Sequence, residues 1–205
     1  MGYVGVKPSA VPLTSADITD GIITSAKIAD GTIVNADINA SAAIASTKLS
    51  GVQGKFESQL LHVRDEKSSG TSGGGISSGS FVTRTLNTSV TNEISGASLS
   101  SNKITLPAGT YYIFAKVPAV EVNDHKAILY NDSDSSNTII GTNEYAYQIG
   151  GAKSSFVSGR FTIASSKNFE IRHRVGTSNA GNGGGNSTSY SVTEVYTDVK
   201  IWKVA

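Results

Sequence analysis

The sequence predicts an all-β chain in two parts, an extended N-terminal repeat stem followed by a β-sandwich or jelly roll, associated as a homotrimer. Three observations lead there. Residues 14–51 place isoleucine or leucine at 18, 23, 28, 33, 38, 44 and 49, a step of five broken once. From Phe56 onward the chain falls into eight or more short alternating runs between clusters of glycine, serine and asparagine. The final run carries apolar bulk on both faces, more than one sandwich covers.

The parts follow in order. Residues 1–13 form an attachment peptide in which Tyr3, Val4, Val6 and Leu13 have no regular period, and Pro8 and Pro12 hold the chain extended. Such a peptide makes no core, so these six residues are read as anchors that enter pockets or add to a sheet edge on a partner protein. The stretch lacks the apolar core of a secretion signal, and Val6 breaks the myristoylation pattern.

Residues 14–54 are the stem. A helix repeats every 3.6 residues and a strand every 2, so a step of five suits neither. Two positions before each of Ile18, Ile23, Ile28, Ile33, Ile38, Ile44 and Leu49 stands a small residue: Ala16, Gly21, Ala26, Gly31, Ala36, Ala42 and Thr47. A corner at each five-residue unit, helped by Gly21 and Gly31 after Asp20 and Asp30, turns all the aliphatic side chains one way. This pairing resembles the pentapeptide-repeat family. Seven units make fewer than two turns of a four-sided coil, while solenoids need about three stacked repeats. The stem therefore calls for other copies of the chain, with the seven aliphatic residues packed at a common axis.

Residues 55–205 are the head. In "NFEIRHRV" (168–175), Phe169, Ile171, His173 and Val175 oppose Glu170, Arg172 and Arg174, the pattern of a half-buried strand. Comparable runs lie at 60–66, 80–86, 102–106, 109–117, 125–131, 155–164 and 189–204. In the last run, Tyr196, Trp202 and Val204 alternate with Val195, Val199 and Ile201, which assigns the first three to core or trimer packing.

No chemistry-bearing motif stands out. The chain has 17 basic and 16 acidic residues and no cysteine. That excludes thiolate sites and gives no electrostatic footprint for nucleic acid, and no apolar run is long enough for membrane insertion. His62, His125 and His173 sit in separate strands without metal-ligand spacing, and His173 reads as a packed residue. "NDSDSSN" (131–137) offers Asp132 and Asp134 for a calcium ion but lacks the EF-hand glycine and glutamate, so it reads as a hairpin turn. Asp124 and His125 have no nucleophile motif beside them. "GNGGGN" (181–186) lacks a phosphate-loop context and reads as a mobile loop. No catalytic residue, cofactor or metal is assigned.

"LPAGTYYIF" (106–114) resembles a strand motif of the jelly-roll heads of complement's first component and the tumour necrosis factor superfamily. "LHVRDEKSSGT", "LNTSVTNEISGASLSSNKITLPAGTYYI", "HKAILYN", "GRFTIASSKNFEIRHR" and "TEVYTDVKIWKVA" look like a C-terminal domain of bacteriophage tail-fibre and virion proteins, and the N-terminal segment is similar to repeats of marine phage fibres. The resemblance implies a homotrimeric, non-enzymatic structural protein at the virion surface. It would attach to another virion protein through its N-terminus, and its head would bind a host-surface glycan or protein. The alternative is a decoration protein that stabilises the capsid or tail.

Overall fold

The computed structural model describes Ile18, residues 20–39, Ala42 and residues 59–204. The attachment residues Tyr3, Val4, Val6, Pro8, Pro12 and Leu13, and the stem residues Ile44 and Leu49, lie outside the described residues. The chain divides into two units, Met1–Val52 and Gln53–Ala205.

In the first unit a corner occurs at every fifth residue, in two alternating kinds. Turns at 20–21 and 30–31 place Gly21 and Gly31 at φ +78° and +77°, a conformation open to glycine at little cost. Between them lie 3-10 turns at Ser25–Lys27 and Asn35–Asp37. The backbone period is thus ten residues, two sequence units per repeat. Asp37 Oδ2 accepts the Val34 N–H at 2.9 Å, and Lys27 Nζ donates to the Ile22 carbonyl at 2.6 Å. Among the described residues of this unit the aliphatic side chains are left largely open: Ile23 and Ile33 are 54 % exposed, and Ile18, Ile28 and Ile38 are 40–45 % exposed.

The second unit, the head, is a two-sheet antiparallel sandwich. Its strands are β1 (Leu60–Lys67), β2 (Val82–Thr83), β3 (Thr88–Asn92), β4 (Ser98–Ser100), β5 (Lys103–Leu106), β6 (Gly109–Val120), β7 (Asn123–Asn131), β8 (Ser136–Ala146), β9 (Ala152–Ile163), β10 (Lys167–Val175) and β11 (Glu194–Lys203). One sheet runs β3-β1-β11-β6-β9 and the other β4-β5-β10-β7-β8, with β2 alongside β10. Without β2, β3 and β4, eight strands in two four-stranded sheets remain, β1-β11-β6-β9 and β5-β10-β7-β8, their order interleaved as two Greek keys require, which is the jelly-roll topology.

The core obeys strand alternation. Leu61, Val63, Tyr111, Ile113, Ala115, Val157, Val199 and Ile201 from the first sheet meet Ile104, Leu106, Leu129, Phe169 and Ile171 from the second. Each fully buried aliphatic or aromatic side chain contributes about 1.5–3 kcal/mol. Tyr111 stays satisfied inside because its hydroxyl donates to the Pro107 carbonyl at 2.7 Å.

The head has two distinct ends. The chain reaches β1 and leaves β11 at the same end, where the Lys203 N–H donates to the Gln59 carbonyl. At the opposite end, the distal end, lie the loops 68–81, 121–122, 147–151 and 176–193. Here one expectation is corrected. The glycine run 181–186 is wedged into the structure, with Gly183, Gly184 and Gly185 buried. The Gly73 N–H donates to Gly185 O, the Gly184 N–H to Gly74 O, and Ile76 exchanges two bonds with Asn179. A Cβ on Gly73 would stand 2.6 Å from the carbonyl carbon of Gly184, so glycine is what lets these backbones touch.

The strand 136–146 was not among the predicted runs. Two runs also shrink: 80–86 pairs only at Val82–Thr83, and 189–204 begins its ladder at Glu194 because Ser189 and Ser191 adopt φ +56° and +61°.

Candidate functional site

The outer face of the first sheet is built from alternate residues of four strands, and backbone pairing sets them in rows. Leu60, Trp202, Tyr112 and Arg160 form one row, His62, Lys200, Phe114 and Ser158 the next, and Arg64, Asp198, Lys116 and Phe156 the third. Four aromatic rings thus gather where β6, β9 and β11 meet. Tyr112 and Trp202 have ring centroids 6.2 Å apart, and Phe114 and Phe156 5.9 Å. Tyr112, Phe114 and Phe156 are 36–37 % exposed, although rings of this size gain most from full burial. The Tyr112 hydroxyl bonds Ser158 Oγ at 2.7 Å and fixes the ring.

Beside the aromatics lies a polar cluster. Asp198 Oδ1 bonds His62 Nε2 at 2.5 Å and accepts from Arg64 Nε at 2.9 Å, and Asp198 Oδ2 lies 3.3 Å from Lys200 Nζ. Burial pushes the Asp198 carboxyl up, but the bonds from His62 and Arg64 outweigh it and hold the group below its ordinary value.

Of the head residues singled out from sequence, Trp202 joins this face and Val204 lies 41 % exposed just past the strand. Tyr196 is covered by its own chain. Its hydroxyl donates to the Thr71 carbonyl at 2.6 Å, and its ring packs on Gly185. Tyr112, Phe114 and Phe156 were not singled out. Each stands on the polar-facing side of an alternating strand, and only cross-strand register shows that they cluster.

A buried polar line crosses the distal end. His125 Nδ1 and His173 Nε2 bond at 3.0 Å, and the outer nitrogens, His125 Nε2 and His173 Nδ1, have no hydrogen-bond partner among the described residues. Burial, the Arg84 charge and His125 push the His173 imidazole down to about 2, and burial lowers His125 as well. Arg84 donates to Thr197 Oγ1 at 3.2 Å and to Gly184 O at 2.8 Å, and burial lowers it to about 10 against the pull of Asp65. Asp65 is fully buried, with Lys67 Nζ at 3.3 Å, and burial raises its carboxyl. Glu194 clamps the loops by accepting N–H groups of Thr188, Gly70 and Ser189, which hold its carboxyl at about 2.

The remaining candidates resolve in structural terms. Asp132 lies 2.6 Å from Lys103 Nζ and Asp134 2.5 Å from Lys167 Nζ, so the β7–β8 turn presents carboxylates already engaged by lysines. Among the described residues no three His, Asp or Glu side chains cluster to hold a metal ion. Asp124 is exposed while His125 is buried, because neighbours on a strand face opposite ways, so they form no acid–base dyad. No described helix is long and apolar enough to cross a membrane.

No protein-family model matches the chain, and no curated protein matches it. Among solved structures it is similar to murine APRIL at pH 8.5, with a TM-score of 0.46 at 11% identity over 72% of this chain and 99% of that one. Murine APRIL at pH 5.0 gives 0.46 at 8% identity over 71% and 99%. The globular domain of zebrafish complement 1qA protein gives 0.46 at 9% identity over 72% of this chain and 98% of its own.

Proposed function

We propose that the chain is the subunit of a homotrimeric, non-enzymatic bacteriophage virion protein, a short fibre. Residues 1–13 attach it to another virion protein, residues 14–54 form the stem, and the head binds a host-surface receptor. The observation that carries self-association is the aromatic face of Tyr112, Phe114, Phe156 and Trp202, whose rings are left half-covered on one chain. Large aromatics at that exposure are the anchors of protein interfaces. A second set of unburied apolar groups, the stem isoleucines, supports the same reading, since three copies about one axis cover both. The virion setting rests on the resemblance of the sequence blocks to phage fibre domains.

Sedimentation of the purified chain tests the assembly: the expected mass is three times 21.2 kDa, and Phe114→Glu, which sets a carboxylate in a drying interface, releases the heads from one another. A wild-type chain that sediments as a monomer at micromolar concentration overturns the reading. Antibody labelling of particles then separates a fibre at the tail from a decoration protein spread over the capsid.

A further inference from the structure

The outer face of the second sheet is charged, and its two halves are built differently. Toward the end where the chain reaches the head, each cation has a carboxylate. Lys103 pairs with Asp132, Lys167 with Asp134, and Arg172 with Glu170 at 2.7 Å while stacking on Tyr130 at 3.4 Å. Toward the distal end the pattern stops. Lys126 and Arg174 are register partners on neighbouring strands, and neither has a carboxylate within ion-pair distance among the described residues. Like charges directly opposite across a sheet are unfavourable on their own.

These two cations lie in a cleft of about 720 Å³, the scale of small-molecule sites. Asp124, Glu144, Asn143 and Phe81 also line it. Asp124 stands two residues from Lys126 on the same face and pairs with neither cation among the described residues, while Glu144, opposite His125 in the register, borders the cleft and accepts from Thr142 Oγ1 at 3.2 Å. Gly176 leaves room for the Asp124 carboxylate, whose Oδ1 lies where a Cβ would stand.

We infer that this cleft binds an acidic saccharide, a sugar bearing a carboxylate or sulfate together with free hydroxyls. The Lys126–Arg174 row takes the anionic group, and arginine suits a planar or tetrahedral oxyanion through paired N–H donors. Asp124, Glu144 and Asn143 accept from ring hydroxyls, which a phosphate or a purely acidic peptide does not supply. Phe81 offers a ring to the C–H face of the sugar. The inference rests on the reading of the head as a receptor binder and not on the trimer.

The test is calorimetric titration of the full chain with oligogalacturonate, dextran sulfate, neutral dextran and poly-glutamate. Binding of one of the first two is expected, and which one binds distinguishes carboxylate from sulfate. Lys126→Gln with Arg174→Gln should weaken it by about tenfold or more while the melting temperature stays put, and Phe81→Ala should weaken it several-fold. Absence of binding at millimolar saccharide, equal binding of neutral dextran or poly-glutamate, or an unchanged affinity in the double variant overturns the assignment. Competition of the added chain with particle adsorption tests receptor binding separately: competition retained by the double variant leaves the receptor reading standing and removes the cleft from it.

Discussion

Lowering the pH from 7 to 5 should destabilise the head through His173. This imidazole is fully buried beside Arg84 and bonded to His125, and its folded-state pKa is pushed down to about 2 against 6.5 in the unfolded chain. A depressed histidine contributes its full share of stability above the unfolded value. It loses that share as pH falls through 6.5, because the unfolded chain takes up a proton that the folded one refuses. Each pH unit costs about 1.4 kcal/mol, so the interval from 6.5 to 5 costs about 2 kcal/mol. His125, also lowered, adds in the same direction. For a domain of this size that amounts to a fall in Tm of about 4–8 °C. Asp198 and Glu194, whose carboxyls are held low, lose their contribution only below the range of unfolded carboxylates, near pH 4 to 4.5, and Asp65, raised, works the other way. The window from 7 to 5 therefore keeps the imidazoles clear of Asp198 and Glu194, and a His173 variant separates them from Asp65.

Guanidinium unfolding of the full chain, followed at one protein concentration by the fluorescence of its one tryptophan, Trp202, reports on the head. His173→Gln keeps an amide for His125 Nδ1 and has no titrating group. Over this window its stability should fall by about 2 kcal/mol less than that of wild type. Equal slopes for wild type and variant would refute the reasoning.

Other perturbations have sharp expectations. Arg84→Leu leaves the buried Gly184 carbonyl and Thr197 hydroxyl without their donor and should cost about 1–3 kcal/mol in the same unfolding assay. Gly185→Ala places a methyl group within the ring of Tyr196 at φ +141°, and should cost about 1–3 kcal/mol and loosen the distal loops to proteolysis. Ile28→Asp puts three carboxylates at the proposed stem axis, so limited proteolysis between residues 20 and 45 should accelerate while the head resists; an unchanged cutting rate would count against the stem packing.

Strands buried on one face were legible because alternation is a local property: Phe169, Ile171, His173 and Val175 announce a face by themselves. The strand at 136–146 was not, since Ile139 and Ile140 are adjacent, Gly141 follows, and an edge strand exposes much of both faces. The glycine run misled for a related reason. A loop rich in small residues reads alike whether water or another backbone lies against it, and its partner, residues 73–76, is more than 100 positions away. The aromatic face is likewise a matter of register between strands far apart in sequence, as is the meeting of His125 with His173. The stem shows the converse: its step of five was plain, while the alternation of glycine turns and 3-10 turns that doubles the backbone period depends on Asp-Gly recurring only at every second unit.

The two sheets of the head divide their work by polarity, and the division follows from what each outer face can bury. On the first sheet the ion pairs of Asp198 with His62, Arg64 and Lys200 leave the neighbouring aromatics as an open surface, suited to another protein face that excludes water as a whole. On the second sheet the charges are paired near one end and unpaired near the other, suited to a ligand that satisfies groups one by one. Saccharide binding on the first sheet would leave most of the aromatic surface wet, while a flat apolar partner on the second would strand Lys126, Arg174 and Asp124 without water. The cost of a buried unpaired charge therefore favours the proposed division: copies of the chain on the first sheet, a hydroxylated anion on the second. If Phe114→Glu abolished saccharide binding while Lys126→Gln with Arg174→Gln abolished association, the assignment would be reversed.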